Sequence, residues 1–147
     1  MPITALNVNA TKSFIHPLDS HFSTPEEATV FKLRAMDGFI QAEVQGDMTV
    51  FDLSSINADN PDANVDTSID PFAGASTAVK YCLVGLERFK DVNGNDIEFK
   101  TQRKSLKGRM YDVVHQDILR VIPSNIIMDL YTEIQKLSEL SEKEIKN

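Results

Sequence analysis

The sequence predicts an α+β fold on three observations. Residues 29–53 alternate apolar and polar side chains, which is the pattern of strands with one face in water. Residues 75–89 carry apolar side chains at helical spacing, and a second such stripe lies near the C-terminus. Between the two stripes, a turn followed by alternating residues indicates a hairpin. We therefore expect an N-terminal antiparallel β-meander, a central helix, a β-hairpin and a C-terminal helical pair.

The predicted meander consists of three short strands separated by two turn signals. The strands cover residues 29–36, 39–45 and 48–53, and Asp37-Gly38 and Gly46-Asp47 supply the turns. A helix over residues 39–45 is the alternative, but the strict alternation and the flanking glycines favour a strand.

The regions around the meander have little that could be buried. Residues 1–28 mix short apolar segments with proline, serine and threonine, which predicts an extended N-terminal arm. Residues 29–147 then form a single domain. Within it, residues 54–75 are rich in aspartate, asparagine and proline, so we expect a long mobile loop that is sensitive to proteases.

The central helix is the clearest single pattern in the chain. Its apolar stripe consists of Val79, Cys82, Leu83, Leu86 and Phe89. Because the single cysteine lies on this stripe, we expect a buried apolar residue rather than a nucleophile or a disulfide partner. Asn93-Gly94 then predicts a tight turn. The same segment resembles the start of a calcium-binding EF-hand loop, but Asp96 and Gln102 stand where that loop needs glycine and glutamate.

The C-terminal half continues with a hairpin and two helices. Strands over residues 97–101 and 109–114 would be joined by a basic loop at 102–108. A short helix over residues 118–122 must end at Pro123. Ser124 can cap the last helix, whose apolar stripe consists of Ile127, Leu130, Ile134 and Leu137.

Composition excludes several classes of function. The chain has 41% hydrophobic and 25% charged residues, as in ordinary globular proteins. The longest apolar runs fall far short of the roughly 18–20 residues of a membrane span, and no secretory signal is evident, so we expect an intracellular protein. A formal net charge of −7 disfavours nucleic acid as a partner, because binding to phosphates requires a basic surface.

No arrangement of residues predicts catalysis, cofactor binding or metal binding. The three imidazoles, His16, His21 and His115, have no spacing that suits a shared metal, and we expect solvated histidines in loops. Serines and threonines are frequent, but none stands in a nucleophile motif. We therefore expect that the protein is not an enzyme.

A local basic run is the best candidate for contact with a partner protein. Five positive charges and no negative ones fall within ten residues, at Lys100, Arg103, Lys104, Lys107 and Arg109. An acidic protein surface is the partner that such a run favours, although a solvated loop is the simpler interpretation. On the last helix, Tyr131 and Ile134 are candidate apolar contacts.

Three segments together resemble a family of small proteins encoded among the tail genes of long-tailed bacteriophages, the tail assembly chaperones. They are TVFKLRAMDGF at 29–39, VGLERFKDVNGNDIEFKTQRK at 84–104 and VIPSNIIMDLYTEIQKLSELSEKEIKN at 121–147. The resemblance implies a non-enzymatic protein of the host cytoplasm that binds the tape-measure protein and helps to recruit tail-tube subunits. It names no catalytic residues, and it leaves homo-oligomerisation open.

A different class of function stays open beside this one. The same elements would suit a permanent subunit of the virion, such as a tail-tube, head–tail connector or capsid-decoration protein, whose loops become ordered on assembly.

Overall fold

The computed structural model describes residues 3, 5, 6, 8–22, 24, 26–52 and 66–146. In chain order the elements are β1 (Thr11–Phe14), α1 (Pro17–Phe22), β2 (Val30–Arg34), α2 (Gly38–Met48), β3 (Thr49–Asp52), β4 (Asp66–Ile69), α3 (Pro71–Cys82), β5 (Leu83–Glu87), β6 (Thr101–Leu106), β7 (Arg109–Val114), α4 (Gln116–Leu119) and α5 (Ser124–Lys146). The α+β class is confirmed, with antiparallel N-terminal strands, a central helix, a strand pair and C-terminal helices. Within the described ranges, no helix combines the length and apolar character that a membrane crossing requires.

Three antiparallel sheets form the β part of the fold. The largest has the order β1-β2-β5, while β3 pairs with β4 and β6 pairs with β7. In the central strand β2, Phe31 and Leu33 are buried and Lys32 is exposed, which is the predicted alternation.

Helix α3 lies at the centre of the hydrophobic core. Asp70 begins it by accepting a hydrogen bond from the Ala73 N–H, and Pro71 occupies the first turn, where its missing N–H costs nothing. Its buried side chains pack with those of α2, α5 and β7 in one continuous core. Val79 and Cys82 are fully buried, as the stripe predicts.

The predicted central helix is wrong in its extent, because it ends at Cys82 and the chain continues as β5. Leu83 is buried as expected, but it belongs to the strand, where it is the register partner of Leu33. Phe31 likewise faces Leu86. Helical spacing predicted the burial, whereas the pairing with β2, which is distant in sequence, determined the backbone.

The middle strand of the predicted meander is also wrong, because residues 39–45 lie in α2. Asp37 does not form a hairpin turn; its side chain caps the helix by accepting from the Ile40 N–H at 2.8 Å. Ile40 and Val44 are four residues apart and both are buried. That spacing fits the face of a helix and the face of a strand equally well, so alternation alone could not separate the two.

Close packing of α2 on α3 explains one glycine. A Cβ at Gly74 would lie 2.6 Å from Met48 Cε and 3.2 Å from Met48 Cβ. By contrast, a Cβ at Gly46 of α2 would meet nothing within 4 Å.

Two predicted irregular regions contain paired or helical structure. Within the predicted arm at 1–28, β1 pairs with β2, and α1 follows it. Within the predicted loop at 54–75, β4 occupies residues 66–69 and α3 begins at Pro71. The part of that loop up to residue 65 lies outside the described residues.

The hairpin forms, but its first strand is longer and later than predicted. Strand β7 matches the prediction, whereas β6 covers most of the predicted loop at 102–108. Lys107 and Gly108 alone make the turn, with φ values of 53° and 81°, the backbone of a tight two-residue hairpin connection. The earlier turn is confirmed: the Asp91 carboxylate accepts from the Asn93 and Asn95 N–H groups, and Gly94 has a φ of 81°.

Of the two C-terminal helices, the long one follows the prediction closely, whereas the short one begins two residues and ends three residues earlier than predicted. The short helix is α4, and His115 caps it by accepting from the Asp117 N–H. The stripe of α5 is buried at all four predicted positions, Ile127, Leu130, Ile134 and Leu137.

Candidate protein-binding surfaces

Strand geometry divides the predicted basic run into two groups. In β6 the exposed side chains alternate with side chains turned towards the core, so Arg103 and Lys104 point in opposite directions. Arg103 lies opposite Asp112 on β7, with Nη1 and Oδ1 3.3 Å apart, and both side chains are more than 60% exposed. Such an exposed ion pair contributes little to stability. Arg103 is therefore available to a partner.

The remaining basic residues differ in what they contact. Lys107 is exposed in the turn, and the exposed Lys100 precedes β6. The Arg109 guanidinium lies 5.4 Å from the centroid of the Tyr111 ring, within reach of a cation–π interaction. Lys104 is half-buried against Tyr81, with Nζ 6.0 Å from its ring centroid. The five residues thus share one hairpin region but not one face.

The two apolar candidates on α5 have different positions. Ile134 is 0% exposed and belongs to the core, so it offers no surface to a partner. Tyr131 is half-buried beside a small cavity of about 200 Å³ between α2 and α5, and desolvation raises the pKa of its hydroxyl. Its exposed part is too small to constitute a docking surface alone.

An apolar groove that the sequence did not predict lies between the start of α3 and the junction of α4 with α5. Its volume is about 630 Å³. We call this feature the apolar groove, and its lining residues are Phe72, Ser76, Gln116, Leu119, Arg120, Val121, Ile122, Pro123, Ser124 and Ile127. Phe72 and Val121 are 46% and 45% exposed.

Local sequence explains how the groove is built. Phe72 follows Pro71 in the first turn of α3, and Val121 precedes Pro123 between the two last helices. Helix α4 ends at Leu119 and α5 begins at Ser124, and of the residues that connect them Val121 is exposed at the surface while Ile122 is buried. The only sequence signal was a large apolar residue within two positions of each of two prolines, which is too weak to identify a groove.

His16 is not the solvated loop histidine that the sequence predicted. It is buried, and its Nε2 lies 2.6 Å from Asp129 Oδ2 on α5. Its Nδ1 accepts a hydrogen bond from the Leu18 N–H at 3.2 Å, so Nε2 carries the proton and donates it to the carboxylate. With both ring nitrogens engaged, His16 has none left to activate a nucleophile. The His21 side chain lies outside the described ones.

A partly buried polar cluster joins β2, α3 and β7. The Arg34 Nε donates to the Tyr81 carbonyl at 2.9 Å, and its guanidinium lies 5.7 Å from the Tyr111 ring centroid. The Tyr111 hydroxyl donates to Asp37 Oδ2 at 2.6 Å. Burial, together with Asp37, raises the pKa of Tyr111 to about 12. The cluster thereby joins the capping residue of α2 to the hairpin.

Cys82 is inert by its environment. Burial raises the pKa of its thiol to about 12, so the nucleophilic thiolate is absent near neutral pH. Among the side chains that the structure describes, no three of His, Cys, Asp and Glu form a group suited to a metal ion.

Comparisons with protein families, with curated proteins and with solved structures find no significant match to this chain.

Proposed function

We propose that this protein is a non-enzymatic tail assembly chaperone of a long-tailed bacteriophage, which acts in the host cytoplasm. It binds the tape-measure protein and helps to recruit tail-tube subunits. The apolar groove carries the proposal. The resemblance of the three segments at 29–39, 84–104 and 121–147 is the ground for proposing this family, and the groove supplies a surface to cover apolar helices.

The groove has the size and character that helix recognition requires. An amphipathic helix inserts apolar side chains into such a groove and keeps its polar face in water. The volume of about 630 Å³ accommodates several side chains, and Phe72 and Val121 are half-exposed in the absence of a partner. A tape-measure protein exposes many apolar stripes until a tube surrounds it, and uncovered stripes aggregate.

Co-expression with the neighbouring tail genes tests the proposal. The protein should co-purify with a long helical tape-measure protein, and Phe72→Asp or Val121→Asp should reduce the recovered complex at least tenfold. The matched control is Val92→Asp, because Val92 is fully exposed in a turn remote in sequence from the groove. If the groove variants and the control recover the same amount of complex, the groove is not the binding surface.

A permanent virion subunit is the second candidate, and the β3–β4 pair favours it. These strands hydrogen-bond only to each other among the described strands. Val50 and Ile69 on them are exposed. Open strand edges of this kind can pair with a neighbouring subunit. Mass spectrometry of purified particles separates the candidates, because a chaperone should be missing and a subunit should be present at stoichiometric copy number.

A further inference from the structure

Two lysine side chains converge on one buried tyrosine. Lys80 lies in the last turn of α3, and its Nζ is 5.9 Å from the centroid of the Tyr81 ring. The Nζ of Lys104, from the inner face of β6, is 6.0 Å from the same centroid. The hairpin holds Lys104 there, since its register partner Tyr111 packs edge-on against Tyr81 with centroids 5.5 Å apart.

Within the part of the chain that the structure describes, the two positive charges lack a directly paired negative charge. Among the described side chains, no carboxylate forms a salt bridge with either Nζ within 4.0 Å. Glu43 and Asp47 on α2 are the acidic groups whose charge reaches Lys80, and Asp47 already accepts a hydrogen bond from the Thr77 hydroxyl. Lys104 therefore acts on Lys80 more strongly than either of these carboxylates does.

A third polar group at this place is incompletely bonded. Tyr81 is 1% exposed, and among the described residues its buried hydroxyl has no acceptor for its proton. An unpaired buried donor is costly to the folded state, so native structures rarely retain one without a reason. The Lys104 ammonium acts on this hydroxyl, but an ammonium only donates, so it cannot accept the hydroxyl proton.

The electrostatic state of Lys80 agrees with this geometry. The pKa of Lys80 is lowered to about 8, mainly by burial and secondly by the neighbouring Lys104. Near neutral pH its ammonium is still mostly charged, and an anion placed between the lysines would remove the repulsion that depresses this value.

We propose that Lys80, Lys104 and the Tyr81 hydroxyl form a binding site for a tetrahedral oxyanion with two negative charges, of the phosphate or sulfate type. Two ammonium groups match the charge of such a dianion, and the hydroxyl supplies a third donor to its oxygens. The site does not depend on the proposed chaperone function, because it lies at the end of α3 opposite to the groove residue Phe72.

The proposal is tested by titrating the protein with inorganic phosphate at constant ionic strength. The NMR signals of the lysine side chains report the binding. Lys80 and Lys104 should shift together and saturate, and bound phosphate should raise the pKa of Lys80. Lys104→Gln should weaken binding about tenfold or more, the size expected for one charge-assisted hydrogen bond. Lys107→Gln is the matched control, because Lys107 is a lysine of the same hairpin that lies in the exposed turn.

Parallel titrations identify the ligand chemistry. Sulfate should compete with phosphate, whereas acetate should bind at least tenfold more weakly because it has one charge and two oxygens. Equal affinity for acetate would overturn the dianion assignment. NMR shifts that do not saturate would show general screening of charge by the added salt and would overturn the site. The same holds if Lys104→Gln, Lys107→Gln and the unsubstituted protein all give the same shifts. Tyr81→Phe adds a test of the hydroxyl. If the Tyr81→Phe variant does not fold, Lys104→Gln still decides whether the phosphate site exists.

Discussion

Truncating Leu83 should destabilise the protein strongly, whereas truncating its neighbour Val84 should not. Leu83 is 1% exposed at the point where β5 begins, and Val84, the next residue, is 38% exposed. Consecutive residues of a strand point to opposite faces, so the two substitutions test opposite faces of the same backbone segment.

The expected magnitude follows from the burial of Leu83. Replacing a fully buried leucine by alanine costs about 2–5 kcal/mol, because apolar contacts are lost and a cavity remains. Val84→Ala should cost less than about 1 kcal/mol. With a total stability of about 5–15 kcal/mol, Leu83→Ala should still fold, while Leu83→Asp should unfold the protein because an unpaired charge would enter the core.

Urea unfolding followed by circular dichroism measures both free energies of unfolding. The Leu83→Ala midpoint should fall at an unchanged slope, and its Tm should drop by roughly 6–20 °C at about 3–4 °C per kcal/mol. A loss below about 1 kcal/mol, or a loss equal to that of Val84→Ala, would show that this segment does not present Leu83 to the core.

Three further predictions follow from other parts of the fold. A double-mutant cycle of His16→Ala and Asp129→Ala, measured by urea unfolding, should give a coupling free energy of about 1–2 kcal/mol, because their hydrogen bond joins the N-terminal segment to α5; a coupling near zero would contradict the contact. The thiol of Cys82 ionises near 9.0 when unfolded and near 12 when folded, so its contribution to stability is complete below pH 9 and declines as the pH rises towards 12. Cys82→Ala should therefore lose less stability over this interval than the unsubstituted protein, and an identical decline would refute the shift. Gly46→Ala should stabilise α2 by about 0.5–1 kcal/mol, while Gly74→Ala should destabilise the protein relative to it, because the added methyl group would contact a methionine of α2; equal melting temperatures would refute the close packing.

Burial was predictable from the sequence to a greater extent than backbone conformation. The stripe of α5 is a helix as predicted, because its helix is long enough for the period to be unambiguous. Leu83 and Ile40 were also assigned to apolar faces correctly, but in the wrong element. Short apolar patterns satisfy both periods, and the deciding contacts, from β2 to β5 and from α2 to α3, join segments far apart in sequence.

The surface was less predictable than the core, because surface chemistry depends on which side chains the fold brings together. His16 forms a hydrogen bond with Asp129, which is 113 positions away in the chain. Lys80 on α3 likewise interacts with Lys104 on β6 of the hairpin. The groove around Val121 arises where two short elements meet. None of these juxtapositions leaves a periodic trace in the sequence.

The division of the basic run determines which residues can test electrostatic binding to an acidic partner. Charge reversal at Lys104 would place a carboxylate beside the buried Tyr81, so weaker association could reflect a damaged fold. Arg103 and Lys107 avoid this difficulty, since the first has only an exposed ion pair with Asp112 and the second lies in the turn. Of the predicted partner residues, these two and the exposed Lys100 are therefore the ones whose reversal can weaken a salt-sensitive association without a matching loss of stability.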